Sequence, residues 1–407
     1  MFRKKTVPFL TFLLIASCGS QPSGRPVQPV LTAVHSGFSA LSQAEKNYYY
    51  NAIVPLYESL LLKRGFNGSI LLAKNGQIVF EDYRGLINFK THEPITDSST
   101  FHVASVSKTF TAAVVLKLME EGRISLDDTV EKYLPDFPYH HITIKNLLSH
   151  RSGLPKYDHF LDGTRTVTVT IRNKKGKLVH RTRTVKDPVA ITGLLTNQDL
   201  LNYMIKYRPA PESLPDRHYS YCNTNFALLA LIVEKITGIP FPEYMKREVF
   251  EPLGMTHSYI FSIRDTNRYV PSYNYNKAPF PLQKLDCIYG DKNVYTTARD
   301  LLQWDRALYL GTFISQQSQE LAYAPYSFEK RGVKNYGLGW HLLLEPNNPE
   351  VVYHNGWWHG NNAVFKRMLA DTATVIILGN KRNNNIYAAG KISSVFTGRV
   401  DTTRLEE

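Results

Sequence analysis

FHVASVSKTFTAAVVLKLMEEG, residues 101–122, is the stretch on which the interpretation of this chain depends. Apolar residues recur in it at helical spacing and Gly122 ends the pattern, which predicts one helix. Ser105 and Lys108 lie at positions i and i+3 near its beginning, and side chains at that spacing share one face of a helix. A neutral lysine one turn away can take the proton of a serine hydroxyl and make it a nucleophile. Because Ser-x-x-Lys is a common accident, the pair indicates a catalytic site only if partners for it stand elsewhere in the chain.

The first residues have the pattern of an export signal. A basic start at residues 3–5 precedes a short apolar run, 7–16, as in signal peptides. The small residues that end at Cys18 resemble a bacterial lipobox, in which this cysteine becomes the lipid-bearing first residue of the mature protein. An ordinary cleaved signal that happens to contain a cysteine is the alternative. We expect a signal peptide over 1–17, a Pro/Ser/Gly-rich tether over 18–44, and a lipid-anchored, exported protein of the bacterial cell envelope.

The composition is that of an ordinary globular protein with enough material for a large core. The chain has 407 residues, of which 43% are hydrophobic and 20% charged, and its formal net charge is +13. Nothing after the signal approaches the roughly 18 apolar residues of a membrane span. Cys222 and Cys287 could form a disulfide or remain as two free thiols. Without zinc-finger spacing or a convincing phosphate loop, no metal, cofactor or nucleic acid is expected.

The order of the predicted elements indicates an α/β fold. A helix over 45–64 precedes two short apolar runs that flank Asn75-Gly76, a strong hairpin signal. Further helices are predicted over 143–150, 198–207, 223–238, 242–250 and 300–309. Strands are predicted over 336–344, 351–354, 362–369 and 372–378, before a terminal helix over 387–396. Strands at both ends with helices between them predict a sheet domain formed by 45–104 and 288–400 and a mostly helical domain, 105–287.

A basic insertion interrupts the helical part. Residues 164–187 contain two alternating β-branched runs around a Lys/Gly-rich turn, which predicts a hairpin. Its eight cations are Arg165, Arg172, Lys174, Lys175, Lys177, Arg181, Arg183 and Lys186. We interpret it as a solvated insertion or, alternatively, as an arm that contacts anionic lipid headgroups or an acidic wall polymer. In a further hypothesis the hairpin is the functional centre and the rest of the fold supports it.

Two more motifs give Ser105 and Lys108 their partners. Tyr221-Cys222-Asn223 begins a predicted helix, and His354-Asn355-Gly356 lies on a late strand. In this order the three motifs resemble those of the serine β-lactamases and penicillin-binding proteins, in particular the group of class C β-lactamases, DD-carboxypeptidases, D-aminopeptidases and family VIII esterases. Stretches 147–155, 290–309 and 336–340 are also similar to this group. The resemblance implies a β-lactamase/transpeptidase-like fold, with an antiparallel sheet flanked by helices and a mostly helical domain.

The resemblance also implies roles for the motif residues. Ser105 would attack a carbonyl carbon and form an acyl-enzyme, while Lys108 and Tyr221 move the proton; which of the two is the base stays open. Asn223 would bind the substrate amide and hold Lys108. The backbone N–H groups of Ser105 and Trp357 would form the oxyanion hole. The full set of implied substrate contacts is Asn223, His354, Gly356, Trp357 and Tyr157.

The chain departs from the pattern of the class C enzymes at several positions. His354 replaces the lysine of their third motif, so it would offer only a pH-dependent cation, which favours a peptidase or esterase over an efficient β-lactamase. Trp357 either forms an aromatic cleft wall or belongs to the core. Tyr157 falls where the class C enzymes place a substrate-contacting glutamine. Cys222 is interpreted as a small filler rather than as a nucleophile, since nothing is arranged to activate it.

The hypothesis that follows is a serine hydrolase that acts through a Ser105 acyl-enzyme on an amide, β-lactam or ester carbonyl. Its substrate would be a small molecule or a peptidoglycan-like peptide. The alternative is a penicillin-binding-type sensor or scaffold that acylates without turning over.

Overall fold

A computed structural model of the chain describes residues 36–161, 164–173, 176–186, 192–329, 332, 334–344 and 351–398. The expected signal peptide, Cys18 and most of the expected tether lie outside these residues, as do Lys174 and Lys175 of the basic insertion.

A large antiparallel sheet joins the two ends of the chain. Its seven strands lie in the order β10-β11-β12-β13-β14-β1-β2. The strands are β1 (Gly68–Lys74), β2 (Gln77–Arg84), β10 (Lys334–Tyr336), β11 (His341–Leu343), β12 (Val351–Trp358), β13 (Asn361–Met368) and β14 (Ala373–Gly379). The expected hairpin around Asn75-Gly76 connects β1 to β2, and both turn residues have positive φ, 48° and 63°.

The centre of the sheet is buried on both faces. Ile70 and Leu72 of β1 pack into one apolar layer, whereas Leu71 between them packs into the other. A strand buried on both faces appears in sequence as a continuous apolar run, which is why Gly68–Lys74 does not alternate. The sheet therefore lies between two layers: an outer layer of helices, described next, and the rest of the molecule.

The outer layer is formed by the two ends of the described chain. Its members are α1 (Gln43–Leu60), α10 (Asn385–Ala389) and α11 (Ser394–Thr397). Ser42 caps α1 in a capping box with Glu45, and Ile53 and Tyr57 are its buried residues. The expected terminal helix over 387–396 is broken by a short 3₁₀ segment between α10 and α11.

The segment between β2 and β10 is mostly helical. Its helices are α2 (Ser107–Glu120), α3 (Ile144–Leu148), α4 (Tyr157–Phe160), α5 (Asn197–Tyr207), α6 (Asn223–Thr237), α7 (Phe241–Met245), α8 (Ala298–Tyr309) and α9 (Gln316–Tyr323). Its strands are β3 (Leu86–Asn88), β4 (Glu93–Pro94), β5 (Phe101–His102), β6 (Thr164–Arg172), β7 (Leu178–Lys186), β8 (Tyr259–Ile260) and β9 (Val294–Thr296). Strands β6 and β7 pair with each other as a separate two-stranded sheet, at the position of the expected basic hairpin.

Helix α2 forms the centre of this segment. Nearly all of its side chains are buried, and Phe110 stacks on Trp304 of α8 with 4.5 Å between ring centroids. A helix that is buried on nearly every side needs partners all around it, and α2 has contacts with α6 and α9. The residues just before α2 are thus held between the sheet and the helices.

One expected strand is two strands. Residues 336–344 were expected to be continuous, but β10 ends at Tyr336 and β11 begins at His341, and the two pair antiparallel. Gly339 lies in the turn between them with φ of 82°, and a Cβ there would be 2.4 Å from that of Ala112. This left-handed, closely packed glycine ends the first strand and reverses the chain.

Among the described residues, no individual helix has the length and hydropathy of a membrane span; α6 and the segment Phe241–Phe250, which are bent by 78° relative to each other, meet these criteria only as a pair, by length and composition alone.

Candidate active site

Ser105 lies in a 3₁₀ turn, Ala104–Val106, that leads directly into α2. It is 9% exposed. Ala104, immediately before it, has φ of 48°, a left-handed conformation that costs an alanine free energy and is held only by its surroundings. Backbone strain of this kind is common beside reactive side chains. Here the strained residue begins the turn that carries the Ser105 hydroxyl.

Lys108 lies beside Ser105 in a buried position. Its Nζ donates to Ser105 Oγ at 3.2 Å and to the backbone carbonyl of Asp291 at 2.8 Å. The side chain is fully buried, with 0% exposure. Nζ also lies 4.9 Å from the ring centroid of Tyr221 and 5.7 Å from that of Phe226. The i, i+3 spacing thus brings amine and hydroxyl into contact, as the helical pattern predicts.

Tyr221 and Asn223 come from the start of α6. The Tyr221 ring is next to the Lys108 amine, and its hydroxyl is buried. The Asn223 Oδ1 atom is also buried, and it accepts no hydrogen bond from the residues that the structure describes. The expected bond from Lys108 to Asn223 is therefore absent. The Asp291 carbonyl holds the amine instead.

The third motif is on β12 and approaches the Ser105 turn closely. A Cβ on Gly356 would be 2.2 Å from the carbonyl oxygen of Val103, so only glycine fits at this point of the strand. Trp357 follows directly and its side chain is 47% exposed. The ring of Trp357 therefore belongs to the surface beside the motif and not to the core.

His354 differs from the expectation of a pH-dependent cation. It is 0% exposed, its Nδ1 lies 2.7 Å from the Asn355 carbonyl oxygen, and its Nε2 lies 3.3 Å from the Tyr336 hydroxyl. Burial, with the neighbouring His341 and Lys108, holds the pKa of His354 well below its usual value. The imidazole is therefore neutral across the physiological pH range.

Tyr157 also differs from its expected role. It is 0% exposed, its hydroxyl donates to Asp291 Oδ2 at 2.6 Å, and it accepts from Lys292 Nζ at 2.6 Å. Burial and the Asp291 carboxylate raise the pKa of this phenol well above its usual value. Tyr157 thus fixes the loop whose carbonyl holds Lys108, and it does not face a substrate.

Cys222 and Cys287 are both buried free thiols. Burial raises the pKa of Cys222 to about 12, and its Sγ lies 3.6 Å from the carbonyl oxygen of Leu154. A thiol that stays protonated is a poor nucleophile, which agrees with the interpretation of Cys222 as a filler.

Sequence reasoning assigned no role to three rings that surround Tyr221. The His150 ring is tilted by 44° against the Tyr221 ring with 4.3 Å between centroids, and the His341 ring lies nearly parallel to it at 6.2 Å. Tyr336 contacts both His150 and His341. Burial and the Lys108 charge lower the pKa of His341 to about 3 and that of His150 well below its usual value. His150 and Tyr336 occur in two of the stretches that resemble the family. This resemblance is the sequence feature that could have identified them as site residues.

The site thus combines a serine, a lysine in contact with it and a tyrosine over the lysine, next to a strand held close to the serine. Within the ranges that the structure describes, no group of three or more His, Cys, Asp or Glu side chains could hold a metal ion.

Comparison with known proteins identifies the family of the chain. A family model described as Beta-lactamase matches residues 63–391. Penicillin-binding protein 4* of Bacillus subtilis (strain 168) is 31% identical over 348 residues, which are 82% of this chain and 72% of the relative.

Solved structures show the same fold. The octameric penicillin-binding protein homologue from Pyrococcus abyssi superposes with a TM-score of 0.71 at 23% identity, over 87% of this chain and 79% of that one. The Beta-Lactamase/D-Alanine Carboxypeptidase from Pseudomonas syringae gives 0.64 at 19% identity, over 87% and 99%. The fold is thus β-lactamase/transpeptidase-like, and the chain belongs to the Beta-lactamase family of serine β-lactamases and penicillin-binding proteins.

Proposed function

We propose that this protein is a serine hydrolase that acts through an acyl-enzyme on Ser105. The observation that carries the proposal is the contact between Lys108 Nζ and Ser105 Oγ, 3.2 Å apart in a buried site. A hydroxyl becomes a useful nucleophile when a base within hydrogen-bond reach can take its proton. Burial of the amine and the nearby Tyr221 ring support this pairing.

The reaction uses the side chains already placed around Ser105. Its Oγ forms a bond to the substrate carbonyl carbon as the Lys108–Tyr221 pair takes the proton, and the carbonyl electron pair moves onto oxygen. The backbone N–H groups of Ser105 and Trp357 stabilise that oxyanion. Collapse breaks the bond to the leaving group, which receives the proton. Water then repeats the sequence on the acyl-enzyme and frees Ser105.

We assign the substrate to the peptide or ester class rather than to rapidly hydrolysed β-lactams. The buried, neutral His354 gives the third motif no cation for a carboxylate at that position. The Bacillus subtilis relative is called a penicillin-binding protein, which supports reaction with penicillin at the same serine.

The test combines labelling with turnover. We expect the wild type to bind a fluorescent penicillin covalently and to hydrolyse at least one of a D-Ala-D-Ala peptide, a chromogenic cephalosporin and a p-nitrophenyl ester. Ser105→Ala loses both labelling and turnover, whereas Ser59→Ala, an exposed serine on α1, keeps both. Stable labelling with no turnover would identify the sensor or scaffold alternative. Neither labelling nor turnover in the wild type would overturn the proposal.

A lipid anchor at Cys18 is a second part of the proposal, based on the lipobox-like sequence. Cys18→Ala should move the protein from the membrane fraction to the soluble fraction.

The basic hairpin would add affinity for an anionic envelope surface, because its residues Arg172, Lys177 and Arg181 are exposed. The test uses protein expressed without its signal peptide. Removal of residues 164–186 should weaken the salt-sensitive binding of this protein to anionic vesicles and leave ester turnover unchanged. Equal binding by both forms would argue for a solvated insertion.

A further inference from the structure

One buried carboxylate binds both residues that follow Trp357. Asp286 Oδ1 accepts from the Trp358 indole N–H at 2.8 Å and lies 2.9 Å from Nε2 of His359. Its Oδ2 accepts from the backbone N–H of Gln283 at 2.7 Å, and the residue is 4% exposed. Burial alone would raise the pKa of Asp286, but its hydrogen bonds, that from His359 above all, hold it below its usual value. The carboxylate is therefore ionised and forms charge-assisted hydrogen bonds at the end of β12.

The indole of Trp358 is also held on its face. Lys292 Nζ lies 4.8 Å from the ring centroid of Trp358, where a cation is attracted by the aromatic face. This ammonium group is buried, donates to the Tyr157 hydroxyl at 2.6 Å and lies 3.6 Å from Asp291 Oδ2. Asp286 at the indole N–H and Lys292 at the ring face therefore fix this side chain from two directions.

Both contacts to the indole come from one loop, residues 283–293, which we call the bracing loop. The same loop supplies an acceptor for the lysine of the site, because the Asp291 carbonyl accepts from Lys108 Nζ at 2.8 Å. Immediately after the loop, the Val294 N–H donates to Ser107 Oγ in the first turn of α2 at 3.0 Å. The bracing loop is thus attached both to α2 and to the end of β12.

The proposed oxyanion donor, the Trp357 N–H, lies between two fixed neighbours. On one side, Gly356 is packed so closely against the Val103 carbonyl that only glycine fits. On the other side, Trp358 is bound to the bracing loop. Peptide units are planar and of fixed length, so a displacement of either neighbour is passed on to the residue between them. Hydrogen-bond donors stabilise an oxyanion effectively when their geometry is set in advance.

We propose that Asp286 is a positioning residue of the oxyanion hole: by fixing Trp358, it places the Trp357 N–H. The proposal rests on the proposed function and deepens it, since one loop then holds both the Lys108 amine and an oxyanion donor. Such a residue stabilises the transition state through its neighbours and without contacting the substrate. Its loss should therefore lower kcat and leave the affinity for the substrate unchanged.

Asp286→Ala tests the proposal on the rate and on a transition-state analogue. We expect kcat/KM for a p-nitrophenyl ester to fall by about 100-fold, mostly in kcat, as for a displacement of about 1 Å. Phenylboronic acid should lose affinity by a similar factor. Its boron binds Ser105 Oγ as the hydroxyl proton passes to the Lys108–Tyr221 pair, and the tetrahedral product places an oxygen in the oxyanion hole. Asp286→Asn, which keeps an acceptor for Trp358, should retain most of the rate and of this affinity.

Asp300→Ala is the matched control for the loss of a buried carboxylate. Asp300 is 6% exposed and accepts from the His257 N–H at 2.9 Å and from Ser258 Oγ at 2.8 Å. We expect both alanine variants to be less stable, but Asp300→Ala to keep kcat/KM and boronate affinity per folded molecule, with the folded fraction measured by circular dichroism. Unchanged kcat in Asp286→Ala, or equal losses of activity in the two variants, would overturn the proposal. If Asp286→Ala does not fold, Trp358→Phe removes the same indole hydrogen bond and takes its place in both assays.

A measurement without turnover separates this proposal from the proposed function. The chain has four tryptophans, so labelling with ¹⁵N-tryptophan gives four backbone amide signals in a nuclear magnetic resonance spectrum, and Trp357→Phe identifies one of them. Asp286→Ala should shift the Trp357 amide signal, whereas Asp300→Ala should leave it in place. That shift would support the positioning role even if the wild type hydrolysed no ester. An unshifted Trp357 signal in Asp286→Ala would overturn the role even if hydrolysis were fast.

Discussion

Three buried imidazoles that carry no charge at neutral pH lie close to Tyr221. His150, His341 and His354 all have pKa values far below their usual range, because each is withdrawn from water and lies near other basic groups, including Lys108. The amine of Lys108 is then the basic group of the cluster that contacts both the Ser105 hydroxyl and the Tyr221 ring. The arrangement confines proton movement to the Lys108–Tyr221 pair.

Removal of the Tyr221 hydroxyl tests whether the proton moves only within the Lys108–Tyr221 pair. Tyr221→Phe keeps the ring that covers Lys108 but removes the proton carrier, and we expect kcat/KM for a p-nitrophenyl ester to fall by about 10²- to 10⁴-fold. Tyr139→Phe removes a hydroxyl that donates to the Pro209 carbonyl and serves as the matched control. Steady-state kinetics measure both variants. A loss of less than about tenfold in Tyr221→Phe would assign the proton transfer to Lys108 alone.

At this scale the sequence could predict the side chains of the motifs but not their backbone partners. Helical spacing is enough to bring Lys108 to Ser105. The carbonyl of Asp291 as the acceptor for Lys108 could not be foreseen, because a backbone acceptor has no residue-type signature. The assignment of Tyr157 to the substrate contacts failed for a related reason. Its position in a local sequence motif does not show that its hydroxyl is bound by Asp291 and Lys292 in the interior.

Strand β12 and the turn before α2 pack closely against each other beside the site. The strand lies against the turn at Gly356, where the carbonyl of Val103 leaves no room for a side chain. The same contact sets the distance between the two backbone N–H groups proposed for the oxyanion hole. Catalytic donors work only when their geometry is held within fractions of an ångström.

Gly356→Ala should therefore separate activity from folding. The new methyl group pushes β12 away from Ser105, and we expect acylation by a fluorescent penicillin to slow by about 100-fold, as for a displacement of about 1 Å. The free energy of unfolding should fall by only about 1–3 kcal/mol, as for other overpacked sites. Gly37→Ala, which meets open space, should change neither quantity. Normal acylation by folded Gly356→Ala would show that the strand does not position the oxyanion donors.

Sequence patterns predicted elements well where the pattern is local. The hairpin at Asn75-Gly76 and the helix after Ser105 follow from turn chemistry and spacing alone. The division of 336–344 into β10 and β11 depends instead on the contact of Gly339 with Ala112. A tertiary contact across more than two hundred residues leaves no local pattern, and a glycine in a short apolar run is the only hint.

The sheet and helical parts of the molecule are joined by buried charge. Arg367 of β13 donates to Asp305 of α8 at 2.6 Å, and both side chains are at most 1% exposed. Thr374 and Tyr323 complete the network at 2.6 Å each. Because such a pair fixes two elements in one register, the junction beside α2 is specified by polar contacts as well as by the apolar core.

Buried neutral histidines make the stability of the whole molecule depend on pH. His102 is 3% exposed, its Nε2 lies 2.9 Å from Asn293 Oδ1, and burial lowers its pKa to about 4. In the unfolded chain this imidazole binds a proton below about pH 6.5, while in the folded protein it stays neutral down to about pH 4. The unfolded state therefore gains protons first as pH falls, so folding stability decreases from about pH 6.5 towards pH 4 and is unaffected above that window.

We expect the free energy of unfolding, measured by urea titration, to fall by about 1.2 kcal/mol for His102 alone between pH 6 and 5. His150, His341 and His354 act in the same direction, and the Asp286 carboxylate near His102 stays ionised there because its pKa is lowered. His102→Gln should make the pH dependence shallower by that amount. Parallel curves for wild type and His102→Gln would mean that the His102 imidazole takes up its proton in the folded protein.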